Sequence, residues 1–316
     1  MDQQISQTPR DHGGGIDAAA VRFGGGRQDW IDLSTGINPI PYPVEDIPSG
    51  AWQALPDHAA QEHLVKAARV FWNVPGSAAI LAASGASSLI ARIPTLRPAG
   101  TVDIPTPTYN EHAAAFSTHG WQIDANTTSA RVLVHPNNPD GRFWSQSDLT
   151  ADLTIIDESF CDICPEHSLI AESASPGRLV LKSFGKFWGL AGLRLGFAIG
   201  DPALIETLAH QLGPWPVSGP ALEIGARALQ DTAWAEATRQ RLAQDATRLD
   251  SLLLSKGARL AGGTDLFRLY HVDDAEAWQT HLARHQIWTR IFPYSRTFLR
   301  LGLPAPDQWQ RLEAAL

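Results

Sequence analysis

The sequence predicts a doubly wound α/β fold that carries a second, smaller α+β domain, and three observations lead to it. Four short apolar runs end abruptly in small or polar residues, helix-like stretches lie between them, and the texture of the chain changes beyond Pro214 and Pro216. Apolar runs without polar alternation suit strands covered on both faces, as a largely parallel sheet requires.

Residues 1–30 read as an N-terminal arm that contributes to a substrate site. It opens with the polar stretch MDQQISQTPRDHGGG, which lacks the apolar core of a secretory signal. Residues 31–213 read as the large domain. Its strands are expected at Ala78–Leu81, Arg131–Val134, Leu153–Ile156 and Arg178–Leu181, with a strand-like TVDI before PTPTYNEH and a helix over Glu111–His119. Residues 214–316 read as the small domain. It begins with one long helix, Ala221–Ser255, stopped by Lys256 and Gly257. Strand-like Phe267–Val272, Ile287–Phe292 and Thr297–Leu303 then alternate with the helix-like DDAEAWQTHLARHQ and DQWQRLEAAL.

A chain of 316 residues with 44% hydrophobic content can bury a large core, and a net charge of −8 with only isolated basic pairs excludes the cationic face that nucleic acid requires. No run of about 18 apolar residues occurs, so a membrane span is not expected and a cytoplasmic protein is. Cys161 and Cys164 form a C-x-x-C with no second Cys or His pair at ligand spacing, so no metal site is expected, and both read as partly buried thiols.

In doubly wound sheets ligands sit beyond the carboxyl ends of the strands, and there this chain concentrates its polar chemistry. Of its four lysines, Lys66 falls on the wet face of a helix, Lys256 in a helix-ending turn, and Lys182 at a strand end from which it reaches solvent. Lys186 alone stands in a glycine-bounded loop, SFGKFWGLAGLRLG, where Phe184, Phe187 and Trp188 can desolvate it. Desolvation lowers an amine's pKa and exposes its lone pair, as a Schiff-base lysine requires. Ser84-Gly85-Ala86-Ser87-Ser88 opens a helix whose free N–H groups suit a phosphate, and Ser183 and Arg194 can add a hydroxyl and a guanidinium fork. Asp157 follows four apolar residues and wants a cationic partner such as a protonated ring nitrogen. Asn138, in the turn NNPDG, can meet a ring hydroxyl, and Tyr109 offers a face for a flat ring. The set describes a pyridoxal phosphate site. His12 and Gly13, in HGGG, supply an imidazole and unhindered N–H groups for a further anion.

With these residues in hand, the chain resembles the class I/II aminotransferase superfamily, on NNPDG, IIDESF and SFGKFWGLAGLRLG. Within it the likeness is to the threonine-phosphate decarboxylases of cobalamin biosynthesis, on DHGGGIDAA, WIDLSTGINPIPYP, PTYNEHAAAF, LGPWPVSGPAL and FLRLGLP. The resemblance implies fold type I, with a mainly parallel seven-stranded sheet flanked by helices, and a homodimer. It implies Lys186 as the Schiff-base lysine, Asp157 as the ring-nitrogen partner, Tyr109 as the stacking ring and Asn138 on the ring oxygen. Gly85, Ala86, Ser87, Ser183 and Arg194 would hold the cofactor phosphate. Arg300 would take the substrate carboxylate, Arg290 would serve a phosphorylated substrate, and Asn38 would face the substrate. The implied activity is decarboxylation of L-threonine O-3-phosphate. A histidinol-phosphate type of aminotransferase and a non-catalytic cofactor-binding protein are the alternatives. Three positions depart from the family pattern: Phe160 where a tyrosine is common, Gly185 where Ser or Thr is usual, and Leu55 near a tyrosine that relatives lend to the partner subunit. Neutral hydrogen bonds are worth about 0.5–1.5 kcal/mol each, so weaker cofactor retention is expected.

Overall fold

The structure, a computed structural model, describes residues 12–126 and 129–316. The first eleven residues of the predicted arm therefore lie outside the described residues. The arm continues as α1 (Ile16–Phe23) and leads into β1 (Ile31–Asp32), which pairs in parallel not with the large sheet but with Ile287–Trp288. Trp30 packs edge-on against Trp288, with ring centroids 6.2 Å apart, so the chain from α1 to β1 lies against the small-domain element that the sequence places nearly 260 residues later.

The large sheet is built from β2 (Ala79–Ala83), β3 (Thr101–Asp103), β4 (Gln122–Ile123), β5 (Ala130–Val134), β6 (Leu153–Asp157), β7 (Arg178–Ser183) and β8 (Gly196–Gly200), in the order β2-β8-β7-β6-β5-β3-β4. Only β8 runs against its neighbours, so this is the mainly parallel seven-stranded sheet that the family resemblance implies. The glycine-bounded GFAIG of β8 was not anticipated as a strand. Its burial between β2 and β7 overrides weak propensity.

Successive residues of these strands feed opposite faces. Leu133, Ile156, Val180 and Phe197 enter one core, whereas Val132, Ile155, Leu181 and Ala198 enter the other. Short α2 (Ser49–Gln53) precedes α3 (His58–Phe71), which is capped by Asp57 Oδ1 accepting from Ala60 N and buries Leu64 and Ala68 on the first face. α4 (Ala86–Ile90), α5 (Asn110–Thr118) and α6 (Pro202–Leu212) supply Leu89, Phe116 and Leu208 to the second.

The single helix expected over Ala221–Ser255 is two. α7 (Gly219–Gln230) packs on α3, and α8 (Thr232–Ser255) restarts at Asp231, whose Oδ1 accepts from Trp234 N. A side chain that can cap a helix start supplies the break. Beyond α8, β9 (Arg259–Thr264), β10 (Phe267–His271), β12 (Arg290–Phe292) and β13 (Ser295–Gly302) form an antiparallel sheet in the order β12-β13-β10-β9. Between them lie α9 (Ala275–Ala283) and β11 (Ile287–Trp288), and α10 (Trp309–Ala315) closes the chain. Among the described residues no helix is long and apolar enough to cross a membrane.

Candidate active site

Because β2, β5, β6 and β7 run in one direction, their carboxyl ends share one edge of the sheet. A cleft of about 530 Å³ lies there, lined on one side by Tyr109, Asn138 and Phe160 and on the other by His12, Arg290 and Arg300. A smaller chamber of about 120 Å³ runs deeper, between Ala86, Ser87, Asp157, Ser183 and Arg194. Tyr109, Asn138, Phe160 and Lys186 line both spaces. Lys186 therefore sits at their junction.

The aromatic residues around Lys186 do something other than shield it. Phe184, Phe187 and Trp188 are fully buried, with Phe184 stacked on Trp188 and Trp188 stacked on Trp234 of α8. They root the loop in the core and leave the amine to emerge opposite Phe160, whose ring lies 5.2 Å from Nζ. Burial and the guanidinium of Arg300 push the Lys186 amine down to about 8, against an opposing pull from Asp157. Phe160 packs edge-on against Phe267, so the space of the usual tyrosine is filled by apolar contact.

Asp157 closes the deep end of the chamber. Burial alone raises a carboxyl, but hydrogen bonds from His112 Nε2 (2.8 Å to Oδ2) and from Ser159 Oγ (2.6 Å to Oδ1) and N (3.0 Å) hold this one below its ordinary value. Sequence reasoning missed both partners. The signal for His112 was available, since it stands three residues beyond Tyr109, in the first turn of the helix that Tyr109 precedes.

At the other end, Gly85 has φ +80, and a Cβ there would stand 2.6 Å from Arg194 Nη2. Only glycine lets the loop approach that guanidinium so closely. Gly196 serves the same junction, since a Cβ on it would lie 2.4 Å from Ala86 N. Arg194 Nη1 donates to Ala191 O, and among the described residues no carboxylate pairs with it. Ser183 Oγ accepts from Gly185 N, where a Cβ would press on Ala191 Cα at 3.3 Å. An unpaired cation, a hydroxyl and the amide groups at the start of α4 form a cradle for a phosphate, and a negative Asp157 waits at the far end. Pyridoxal phosphate fits this donor set.

In the outer cleft, Arg300 is buried. It donates through Nη1 to Asn138 Oδ1 and through Nη2 to Ser34 O, while its Nε is buried without a partner among the described residues. Burial and neighbouring Arg290 lower it to about 10. The bond from Arg300 occupies the carbonyl oxygen of Asn138 and leaves its NH₂ as the donor. Arg290 Nη1 donates to His12 O, and His12 Nε2 lies 2.9 Å from Glu111 Oε1. A Cβ on Gly13 would stand 2.5 Å from Ser34 O, and Gly14 N donates to Ser34 Oγ. The HGGG amides are thus partly spent on holding the arm to the cleft rather than forming an open nest.

Two readings need correction. Asn38 lines neither space. It is 2% exposed, with Nδ2 donating to Phe187 O and Oδ1 accepting from Ile40 N and Arg241 Nη2, so it has no free group for a substrate. Lys182, expected to reach solvent, is 1% exposed and lies 2.6 Å from Glu158 Oε2 and 3.5 Å from Asp162 Oδ1. The sequence shows neither carboxylate facing inward. Glu158 also accepts from Ser168 and Leu169, and both ring nitrogens of neighbouring His135 meet backbone groups of Trp144 and His167. The cluster His135, Glu158 and Cys161, close enough to hold an ion, therefore has its ligand atoms committed within the protein.

Residues 122–315 match the family model for aminotransferase class I and II. The chain is 39% identical to the threonine-phosphate decarboxylase of Pseudomonas aeruginosa over 97% of both chains. It is 39% identical to that of a Sinorhizobium species over 95% of this chain and 94% of that one. Its fold superposes on the histidinol-phosphate aminotransferase of Sinorhizobium meliloti, solved in complex with pyridoxal-5'-phosphate, with a TM-score of 0.81 at 17% identity, covering 96% of this chain and 94% of that one.

Proposed function

This chain belongs to the class I and II aminotransferase family, on its threonine-phosphate decarboxylase branch, and from that premise we propose that it is a pyridoxal-phosphate-dependent carboxy-lyase acting on L-threonine O-3-phosphate. The products are carbon dioxide and (R)-1-aminopropan-2-yl phosphate, which feeds the aminopropanol arm of cobalamin. The enzyme works in the cytoplasm as a homodimer. The observation that carries this reading is the position of Lys186, the junction between a chamber ending in Asp157 and a cleft lined by Arg290 and Arg300.

When bound, pyridoxal phosphate supplies a ring that absorbs the electron pair left at Cα as the bond to the carboxylate breaks. The protein's own residues do the rest. Arg194, Ser183, Gly85, Ala86 and Ser87 grip the cofactor phosphate at one end. Asp157, kept anionic by His112 and Ser159, would face the ring nitrogen at the other end and could hold a proton there. Tyr109 would cover one face of the ring and the NH₂ of Asn138 would meet the ring oxygen. Arg300, with its unpartnered Nε, takes the substrate carboxylate. Arg290 and the arm at His12 and Gly13 take the substrate phosphate. Two anchored anions fix the rotation about the substrate's bonds, and that rotation decides which bond at Cα breaks. An amine near 8 keeps a minor neutral fraction near neutral pH, far larger than that of an ordinary lysine at about 10.4. Lys186 Nζ can therefore accept a proton and then deliver it to the substrate's Cα.

The holoenzyme supplied with L-threonine O-phosphate should release carbon dioxide and 1-aminopropan-2-yl phosphate with no 2-oxo acid present. A requirement for 2-oxoglutarate with formation of glutamate would instead establish transamination.

A further inference from the structure

The carbonyls of three consecutive residues around the amine are held from a single segment far away in sequence. Asn38 N donates to Lys186 O (3.0 Å), Asn38 Nδ2 to Phe187 O (2.9 Å), and Tyr42 N to Trp188 O (2.9 Å). The two strands of chain touch so closely that a Cβ on Gly189, at φ +69, would stand 2.9 Å from Asn38 O. Asn38 is thus built into the backbone that carries the amine. Its remaining acceptor, Oδ1, receives Arg241 Nη2 at 2.6 Å, and Arg241 is steadied in turn by Asp245 at 3.2 Å.

Arg241 belongs to α8, and α8 touches both halves of the molecule. Near its start, Trp234 stacks on Trp188, and the Arg239 guanidinium lies 5.3 Å over the Phe187 ring while Nε donates to Asp162 O. Near its end, Asp250 pairs with Arg268 and accepts from the Tyr270 hydroxyl, both on β10 of the small domain. β13, paired with β10, carries Arg300. One 24-residue helix therefore joins the loop of Lys186 to the sheet of the substrate-facing arginine.

We propose that Asn38 and Arg241 are positioning residues for Lys186: Arg241 fixes Asn38, Asn38 fixes the two successive peptide carbonyls that follow the lysine side chain, those of Lys186 and Phe187, and α8 thereby sets the amine in register with the small domain. Neither residue touches substrate or cofactor. This rests on the reading of Lys186 as the reacting amine, and it replaces the expectation that Asn38 contacts the substrate.

The two residues are tested in the holoenzyme with Asn38→Ala, Arg241→Leu, Arg241→Lys and the double variant, each first shown to be folded by its far-ultraviolet circular dichroism. Misplacing a reacting group by a fraction of an ångström lowers turnover while leaving the anion-binding arginines in place. Asn38→Ala should lower kcat about tenfold or more and leave KM for L-threonine O-phosphate within about threefold. Arg241→Leu should lower kcat by less, with Arg241→Lys between it and the parent protein. The visible circular dichroism of bound pyridoxal phosphate, which reports the seating of the ring, should weaken in the same order. Because the two act in series, the double variant should be no worse than Asn38→Ala alone. Should Asn38→Ala fail to fold, Arg241→Leu carries the test alone, and normal kcat and dichroism in it refute the proposal. A rise in KM at constant kcat in Asn38→Ala, or additive losses in the double variant, also refutes it. Borohydride fixation of the parent protein keeps the premise separate: a label absent from Lys186 defeats the reading of the site, whereas a label there with unaltered variants defeats the brace alone.

Discussion

Lys182 and Lys186 leave the same strand four residues apart, yet they occupy opposite electrostatic worlds. Lys182 is sealed beneath the sheet edge with Glu158 at 2.6 Å and Asp162 at 3.5 Å, and those carboxylates outweigh burial and raise its amine well above the ordinary value. Asp162 is itself anchored by the indole N–H groups of Trp72 and Trp188. Lys186 meets no carboxylate at pairing distance among the described residues and faces Arg300 and Arg194 instead, so burial and repulsion lower it to about 8. Burial alone does not decide what a lysine does. Whether negative charge is buried with it does.

The largest effect that would sharpen this contrast is on stability. Lys182→Met strands two buried carboxylates, and losing one partner of such a cluster costs about 3–5 kcal/mol. Denaturation should show that loss, while the cofactor bound per folded molecule should stay near normal. If Lys182→Met abolished cofactor attachment in a folded protein instead, the two lysines would have been assigned each other's roles.

Next in size come the arginines of the outer cleft. Arg300→Leu and Arg290→Leu each remove charged hydrogen bonds worth about 1.5–3 kcal/mol, or about ten- to a hundredfold in kcat/KM. Both should leave the colour of the bound cofactor intact. A bleached protein with steady turnover per bound cofactor would put that arginine at the wrong end of the site.

The smallest effect is one of pH. Capture of an aldehyde requires the neutral amine, so attachment of pyridoxal phosphate to the apoprotein should speed up as pH rises through about 8 and level off above it. An ordinary lysine would go on gaining to about 10.4. A profile of that second kind would mean that the lysine environment is not the desolvated, cation-flanked one described above.

The same contrast marks what could be read from the sequence. Strand ends were legible because unbroken apolar runs are unusual outside a two-sided sheet, and polar residues directly after them have one place to go. Asp157, Asn138 and Lys186 converge for that reason, and Arg194 joins them from just before the start of antiparallel β8. Partners that arrive from elsewhere in the chain leave no local trace. Nothing near Lys182 announces that Glu158 and Asp162 turn inward beneath it. Nothing in STGINP announces that Asn38 commits its side chain to the lysine loop, to Ile40 and to Arg241. The break at Asp231 was hidden because the residues on both sides favour helix, and the pairing of Ile31 with Ile287 is a contact of very high sequence separation.

The most direct test is reduction of the holoenzyme with borohydride followed by peptide mapping. The pyridoxyl label should appear on Lys186 and on no other lysine. A label on Lys182 would contradict the account at its centre.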